Sequence, residues 1–368
     1  MNTDYATMNQ EPITKIRSLL QSMGRTEPCT LTPLPPSGSD RKYYHIVFDD
    51  ASLPDLMAFY NPIVEENRAQ VEFTSHFRKL GMKVPDMLAK DDSETVFIVE
   101  YLGNQSLFDL ASKGITDEVI GYYQQALTDL VHFQIDGVKQ LNMEVAYPVA
   151  NFDRQSILWD LNYFKYCFLK PAGIAFNERV LEADFELFTD ELSRSEPDFF
   201  CYRDFQARNI MIHQNKPWYI DFQGGRRGPL PYDVVSLLHQ VKANLPEELR
   251  DSLYQYYLAE LESVAPEEVA NVQRYYNDFV YFRLMQVLGA YGFRGLVERK
   301  VHFLQSIPYA ASALSLRLKQ HPLLINLPEI KQVLEQIIQK FPPIDLSENE
   351  NLTVKIYSFS YKKKGIPV

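Results

Sequence analysis

The sequence predicts an α+β protein of two lobes, a small antiparallel sheet followed by a larger, mainly helical part. Three observations carry that expectation. Short strand-like apolar runs crowd residues 31–102, rich in the β-branched and aromatic residues that suit a half-buried pleat. From Leu107 to Gln339 the apolar residues instead recur with helical spacing. One compact hairpin pattern interrupts the helices between Cys201 and Tyr232. A chain of 368 residues has room for one bilobal enzyme or two domains.

Composition narrows the class. Apolar content of 46% and charged content of 23% are ordinary for a globular protein in water. A net charge of −11 argues against a broad nucleic-acid-binding surface, although Lys362-Lys363-Lys364 makes a local basic run. Cys29, Cys167 and Cys201 show no metal-site spacing and no even framework, as expected of reduced thiols in a cytoplasmic protein. The first residues carry Asp4 and Glu11 and no apolar core, so no signal peptide is expected. No window approaches the roughly 18 uncharged apolar residues of a membrane span.

In chain order, Ile13, Ile16, Leu19 and Leu20 give a helix over 11–23 that Gly24 stops. Leu31–Leu34 begins a strand, and Tyr43–Phe48 resumes it after Pro35-Pro36-Ser37-Gly38-Ser39-Asp40. That small-residue loop is a plain turn or a cover whose backbone N–H groups meet phosphates. Asp55–Tyr60 is the next strand, and Val47 to Arg78 contains no lysine that could pair with nucleotide phosphates from it. Arg41 and Lys42, beside the loop, are the candidates to compensate. Val71, Phe73, Phe77 and Leu80 stripe a helix over 65–80. Glu72 on it is an acid that could order phosphate-binding groups, or a solvent-facing residue. Thr95–Leu102 is an apolar strand leading to the linker Gly103–Ser106, and the lobe boundary is placed there. Helices are expected over 119–134, 156–169, 176–192, 249–261, 269–291, 297–319 and 330–339. His132 falls in an apolar stretch as a core histidine. Gly224–Pro229 reads as an irregular loop, and Asp233 as an N-cap or an acceptor for backbone N–H groups.

The chemistry concentrates in the interrupting hairpin. Tyr202-Arg203-Asp204 precedes Asn209 in a D-x-x-x-x-N spacing, Ile210-Met211-Ile212 leads out, and Trp218-Tyr219-Ile220 delivers Asp221. Two paired strands would bring Asp204, Asn209 and Asp221 to one rim. Such a trio suits phosphoryl transfer. One carboxylate takes the proton of an acceptor hydroxyl, while an amide and a second carboxylate hold Mg²⁺ against nucleotide phosphates. The same residues would also serve as ordinary turn formers.

Tyr202–Asn209, Ile220-Asp221-Phe222-Gln223, Arg227-Gly228-Pro229 and Tyr232–Leu238 resemble the aminoglycoside phosphotransferase-like kinases, and among them the bacterial anomeric kinases of N-acetylmuramic acid and N-acetylglucosamine. The resemblance extends more weakly from about Leu31 to Phe341, and departs at Tyr202, where those kinases usually carry His. It implies a protein-kinase-like fold, with a nucleotide-binding lobe over 1–102 and a helical lobe with the acceptor site over 103–344. It also implies ATP and Mg²⁺, Asp204 with Arg203 as catalytic residues, and Asn209 and Asp221 as metal ligands. Ser37, Gly38, Ser39, Arg41, Lys42 and the backbone of Glu100, Tyr101 and Leu102 would bind the nucleotide. Arg208, Gln223, Arg283 and Arg294 are candidate contacts of a small-molecule substrate, most plainly an amino sugar. An aminoglycoside, choline or another alcohol as acceptor, or a nucleotide-sensing regulator without turnover, are the alternatives. Residues 345–368 read as a linker and a strand, and Ser358-Phe359-Ser360-Tyr361-Lys362 with Gly365-Ile366-Pro367 resembles the start of the C-terminal domain of the RNase adapter RapZ, a domain that senses an amino-sugar phosphate.

Overall fold

Strand propensity and alternating burial build the first lobe. The computed structural model describes residues 3–35 and 41–342, with side chains from residue 11 onward. Helix α1 (Thr3–Ser22) is followed by strands β1 (Cys29–Pro33), β2 (Lys42–Phe48) and β3 (Leu56–Tyr60), then helix α2 (Val64–Lys79) and strands β4 (Met87–Lys90) and β5 (Val96–Glu100). The five strands form one antiparallel sheet in the order β1-β2-β3-β5-β4. Ile16, Leu19 and Leu20 of α1 pack on Ile46, Ala58, Val96 and Ile98 of the sheet to make a small core. The helix begins at Thr3, well ahead of the apolar period that announced it.

Beyond a linker with Gly103 at φ +87°, the chain turns helical. A Ser106/Asp109 capping box starts α3 (Leu107–Ala111), and α4 (Asp117–Ile135) follows. Then come α5 (Arg154–Phe164), one π-helical turn, and α6 (Glu178–Leu192). The hairpin region supplies β6 (Phe199–Cys201), β7 (Ile210–His213), β8 (Lys216–Tyr219) and β9 (Arg226–Gly228). Helices α7 (Pro231–Leu238), α8 (Glu247–Val264), α9 (Val269–Tyr291), α10 (Val301–Leu304), α11 (Ile307–Gln320) and α12 (Pro328–Lys340) complete the described part. Among the described residues no helix is long and apolar enough to cross a membrane.

Three expectations need correcting. The stretch 297–319 is not one helix. Arg299 adopts φ +61°, and Pro308 opens α11 at its first turn, where its missing N–H costs nothing. Residues 226–228 are not loop but β9, paired antiparallel to β6. A Cβ at Gly228 would sit 2.7 Å from that of Cys201, so glycine is what allows this close pairing. His132 lies on the solvent side of α4, its ring bonded to Asp136 at 3.0 Å rather than packed in the core.

Helix α2 ties the lobes together. Its Phe73 and Phe77, fully buried, join the larger core instead of the sheet's. The Phe77 ring meets Phe133, Phe200 and Phe222 edge-on with centroids 5.0–5.4 Å apart, a favoured aromatic geometry. Phe222 directly follows Asp221, so this cluster anchors the candidate site to both lobes. The Ser37-Gly38-Ser39 loop and the segment 345–368 lie outside the described residues.

Candidate active site

The site forms where β6 ends, the catalytic loop turns and β8 runs out. Strands β7 and β8 pair from Ile210↔Tyr219 to His213↔Lys216, and Ile220 N–H donates to Asn209 O at 3.1 Å, closing the mouth of the hairpin. That register brings Asn209 and Asp221 together: Asn209 Nδ2 donates to Asp221 Oδ2 at 3.3 Å and to the Asp204 carbonyl at 2.9 Å. Asp221 holds φ +69° and Arg203 φ +74°, conformations costly for side-chain-bearing residues and typical of functional turns.

Buried partners hold the loop in that shape. Asp233, at the start of α7, accepts from the N–H of Tyr202 at 2.6 Å and of Arg203 at 2.9 Å. Burial pushes its carboxyl up to about 7, against the pull of those two N–H donors and of the Arg203 charge. Tyr202, fully enclosed, donates its O–H to Ile220 O at 2.7 Å, tying the loop to the residue before Asp221. The departure from His therefore keeps a donor inside the loop. Arg203 lies between the rings of Phe152 and Tyr232, at 4.6 and 4.7 Å, and pairs with Asp160 at 3.0 Å. Its guanidinium is engaged there and not with the Asp204 carboxylate. Asp160 carried no sequence signal.

Asp204 keeps its side chain 46% exposed. Gln206 Nε2 donates to its Oδ1 at 3.2 Å, and Arg283 Nη2 stands 3.8 Å from the same oxygen. Both neighbours fall on Oδ1.

Arg41 links Asp221 to the first lobe. Its guanidinium bonds Asp221 Oδ1 at 3.1 Å and Glu66 Oε1 at 2.5 Å, with its side chain 9% exposed. Asn61 Nδ2 holds the other Glu66 oxygen at 2.8 Å. Burial works against the Arg41 charge, but Tyr43, Asp221 and Glu66 outweigh it and raise its pKa. The α2 acid that pairs with Arg41 is Glu66. It sits in the first turn of the helix, whereas the sequence reading weighed only Glu72, as an ordering acid or a solvent-facing residue. Lys42 opens β2 across from Tyr60. Glu100 N–H is bonded to Asp86 O, and the Tyr101 ring stacks on His45.

The remaining candidates separate. Gln223 Nε2 donates to Asp221 Oδ1 at 2.7 Å. Arg208 is exposed on the loop beside Asn209. Arg294 bonds Glu298 one turn away at 2.6 Å, outside the cluster around Asp204.

Asn209 and Asp221, joined by the amide-to-carboxylate hydrogen bond, supply a carboxamide and a carboxylate, an oxygen-donor pair whose chemistry fits Mg²⁺. Among the described residues no group of three or more His, Cys, Asp or Glu gathers to hold a metal alone. The rest of the coordination would fall to phosphate and water oxygens.

The model of the phosphotransferase enzyme family matches residues 32–270, and the chain belongs to that family. It is 28% identical over 231 residues to an N-acetylmuramate/N-acetylglucosamine kinase of Pseudomonas aeruginosa, a match covering 62% of this chain and 64% of that protein, slightly less than two thirds of its length. Identity to the kinase of the same name from Neisseria meningitidis is 26% over 255 residues, covering 64% of this chain and 68% of that one. In structure it resembles Plasmodium vivax ethanolamine kinase with TM-score 0.56 at 11% identity, over 80% of this chain and 84% of that one. The fold is protein-kinase-like.

Proposed function

We propose that this chain transfers the γ-phosphoryl group of ATP to a hydroxyl of a small molecule, an amino sugar of the N-acetylmuramic acid and N-acetylglucosamine kind. The observation that carries the reading is the convergence of Asp204, Asn209 and Asp221, with the Asn209 amide 3.3 Å from Asp221 and 2.9 Å from the Asp204 backbone. Names of two relatives support the acceptor class.

Each residue then has a physical task. Asp204 Oδ2 orients the acceptor hydroxyl and takes its proton as the new O–P bond forms. Asn209 and Asp221 would hold Mg²⁺, which would supply positive charge to neutralise the nucleotide phosphates. Arg41, kept in place by Glu66, brings a fixed positive charge to the nucleotide side and fills the role of the missing strand lysine. Arg203 is a positioning residue: it braces the loop through Asp160 and two rings and does not touch the reacting atoms. The backbone of Tyr101 and Leu102 receives the adenine edge.

The test is a coupled ATP-consumption assay against N-acetylmuramic acid, N-acetylglucosamine, choline and kanamycin. Turnover of the amino sugars is expected, with Asp204→Ala and Asp221→Ala losing at least about a thousandfold in kcat. Mg²⁺-dependent turnover persisting in Asp221→Ala overturns the assignment.

A further inference from the structure

We propose that Arg283 and Arg208 set acceptor specificity by charge, gripping a carboxylate borne by the sugar near its reacting hydroxyl and turning away polycationic alcohols. The inference rests on the phosphoryl-transfer reading above and adds the feature by which the acceptor is chosen.

Arg283 leaves the buried middle of α9, its side chain 6% exposed. Nη1 is held by the Tyr232 hydroxyl at 3.3 Å and by Gln286 Oε1, and the guanidinium lies 5.4 Å from the centre of the Tyr232 ring. Nη2 reaches toward Asp204 Oδ1 but stops at 3.8 Å, an ion-pair distance and too long for a hydrogen bond. Donor capacity therefore remains beside the base, on a group whose other end is fixed. Arg208 comes from the same loop as Asp204, is exposed, and makes no ion pair among the described residues. Both guanidinium groups act electrostatically on the phenol of Tyr291. Burial pushes it up to about 12, while Arg208 and Arg283 pull it back.

The charge balance gives the selection. Arg203 is paired with Asp160, and Arg294 with Glu298. Arg283 stands 3.8 Å from Asp204, and Arg208, exposed on the same loop, has no ion pair among the described residues, so positive charge is available beside Asp204. A carboxylate there meets two guanidinium groups, which favour planar, paired contacts with it. A neutral sugar loses that contact, and a polyamine is repelled at short range.

N-Acetylmuramic acid and N-acetylglucosamine differ by one carboxylate-bearing ether, which makes them the probe. Kinetics of the full chain are compared with Arg283→Gln, Arg283→Lys, Arg208→Gln and the double Gln variant, each checked for folding by thermal melting. The wild type is expected to favour the acid by about tenfold or more in kcat/KM. The double variant should bring the two sugars within about threefold, mainly by raising KM for the acid, with Arg283→Lys in between. Raising salt should weaken the acid and spare the neutral sugar. Equal losses on both sugars, expressed in kcat, would show that Arg283 only supports Asp204 or serves the phosphate, and would overturn the filter while leaving the sugar-kinase reading intact. A wild type that prefers the neutral sugar overturns it equally. A wild type that phosphorylates neither sugar, yet another alcohol, overturns the reading of function and the filter with it.

Discussion

In the proposed function Arg41 takes the place of the lysine that protein kinases carry on the third strand. Its positive charge enters just before β2 and meets two acids, Glu66 and Asp221. Arginine suits the task because its planar fork spans two carboxylates at once, which an ammonium on a flexible stem does less rigidly. Arg41→Lys should therefore raise KM for ATP about tenfold while leaving acceptor KM near wild type, and Glu66→Gln should do the same by freeing the guanidinium. Steady-state kinetics with ATP and acceptor varied separately check both. A rise in acceptor KM of the same size would place Arg41 elsewhere. Glu66 was not legible in the sequence because nothing in a helix period says which turn faces a residue on a distant strand.

At the scale of elements, the catalytic loop is shaped mainly by α7. Asp233 at that helix start supplies two acceptor oxygens to consecutive N–H groups, of Tyr202 and Arg203, just where the backbone enters φ +74°. Replacing it by asparagine puts an NH₂ against one of those donors inside a fully buried site. Asp233→Asn should lower stability by about 2–3 kcal/mol, read from urea unfolding. It should also lower kcat more than it changes either KM, since the loop and not a binding surface is loosened. Unchanged kcat in a folded variant would mean that Asp233 only supports α7. The strand–turn–strand of β7 and β8 was readable from two apolar runs around a polar turn, because pairing is local. β9 was not: its partner β6 lies before the loop, and a three-residue strand of Arg-Arg-Gly has no apolar signature.

Across the whole molecule, the aromatic web around Phe77 joins the two lobes. Because Phe73 and Phe77 belong to the larger core, α2 is anchored in the helical lobe's packing while Glu66 at its start reaches Arg41 beside the sheet. Phe77→Ala should cost about 3–5 kcal/mol and also depress kcat, since Phe222 would lose the ring that fixes it behind Asp221. Leu187→Ala, at a surface position 56% exposed, should change stability by less than about 0.5 kcal/mol. Chemical denaturation of the two variants provides the check. Equal effects would mean that the web contributes no more than surface packing.

By itself the sequence determined the two-lobed α+β plan and the trio Asp204, Asn209 and Asp221. Apolar period and the D-x-x-x-x-N spacing are local properties, and a hairpin converts nearness in sequence into nearness in space. Tertiary structure alone decided that Arg41 stands between Glu66 and Asp221, that Arg203 faces Asp160 and two rings, and that Arg283 points at Asp204 from α9. Each of those contacts joins residues from elements far apart in the chain. Which side chains meet there depends on how the elements pack, and no local pattern encodes it.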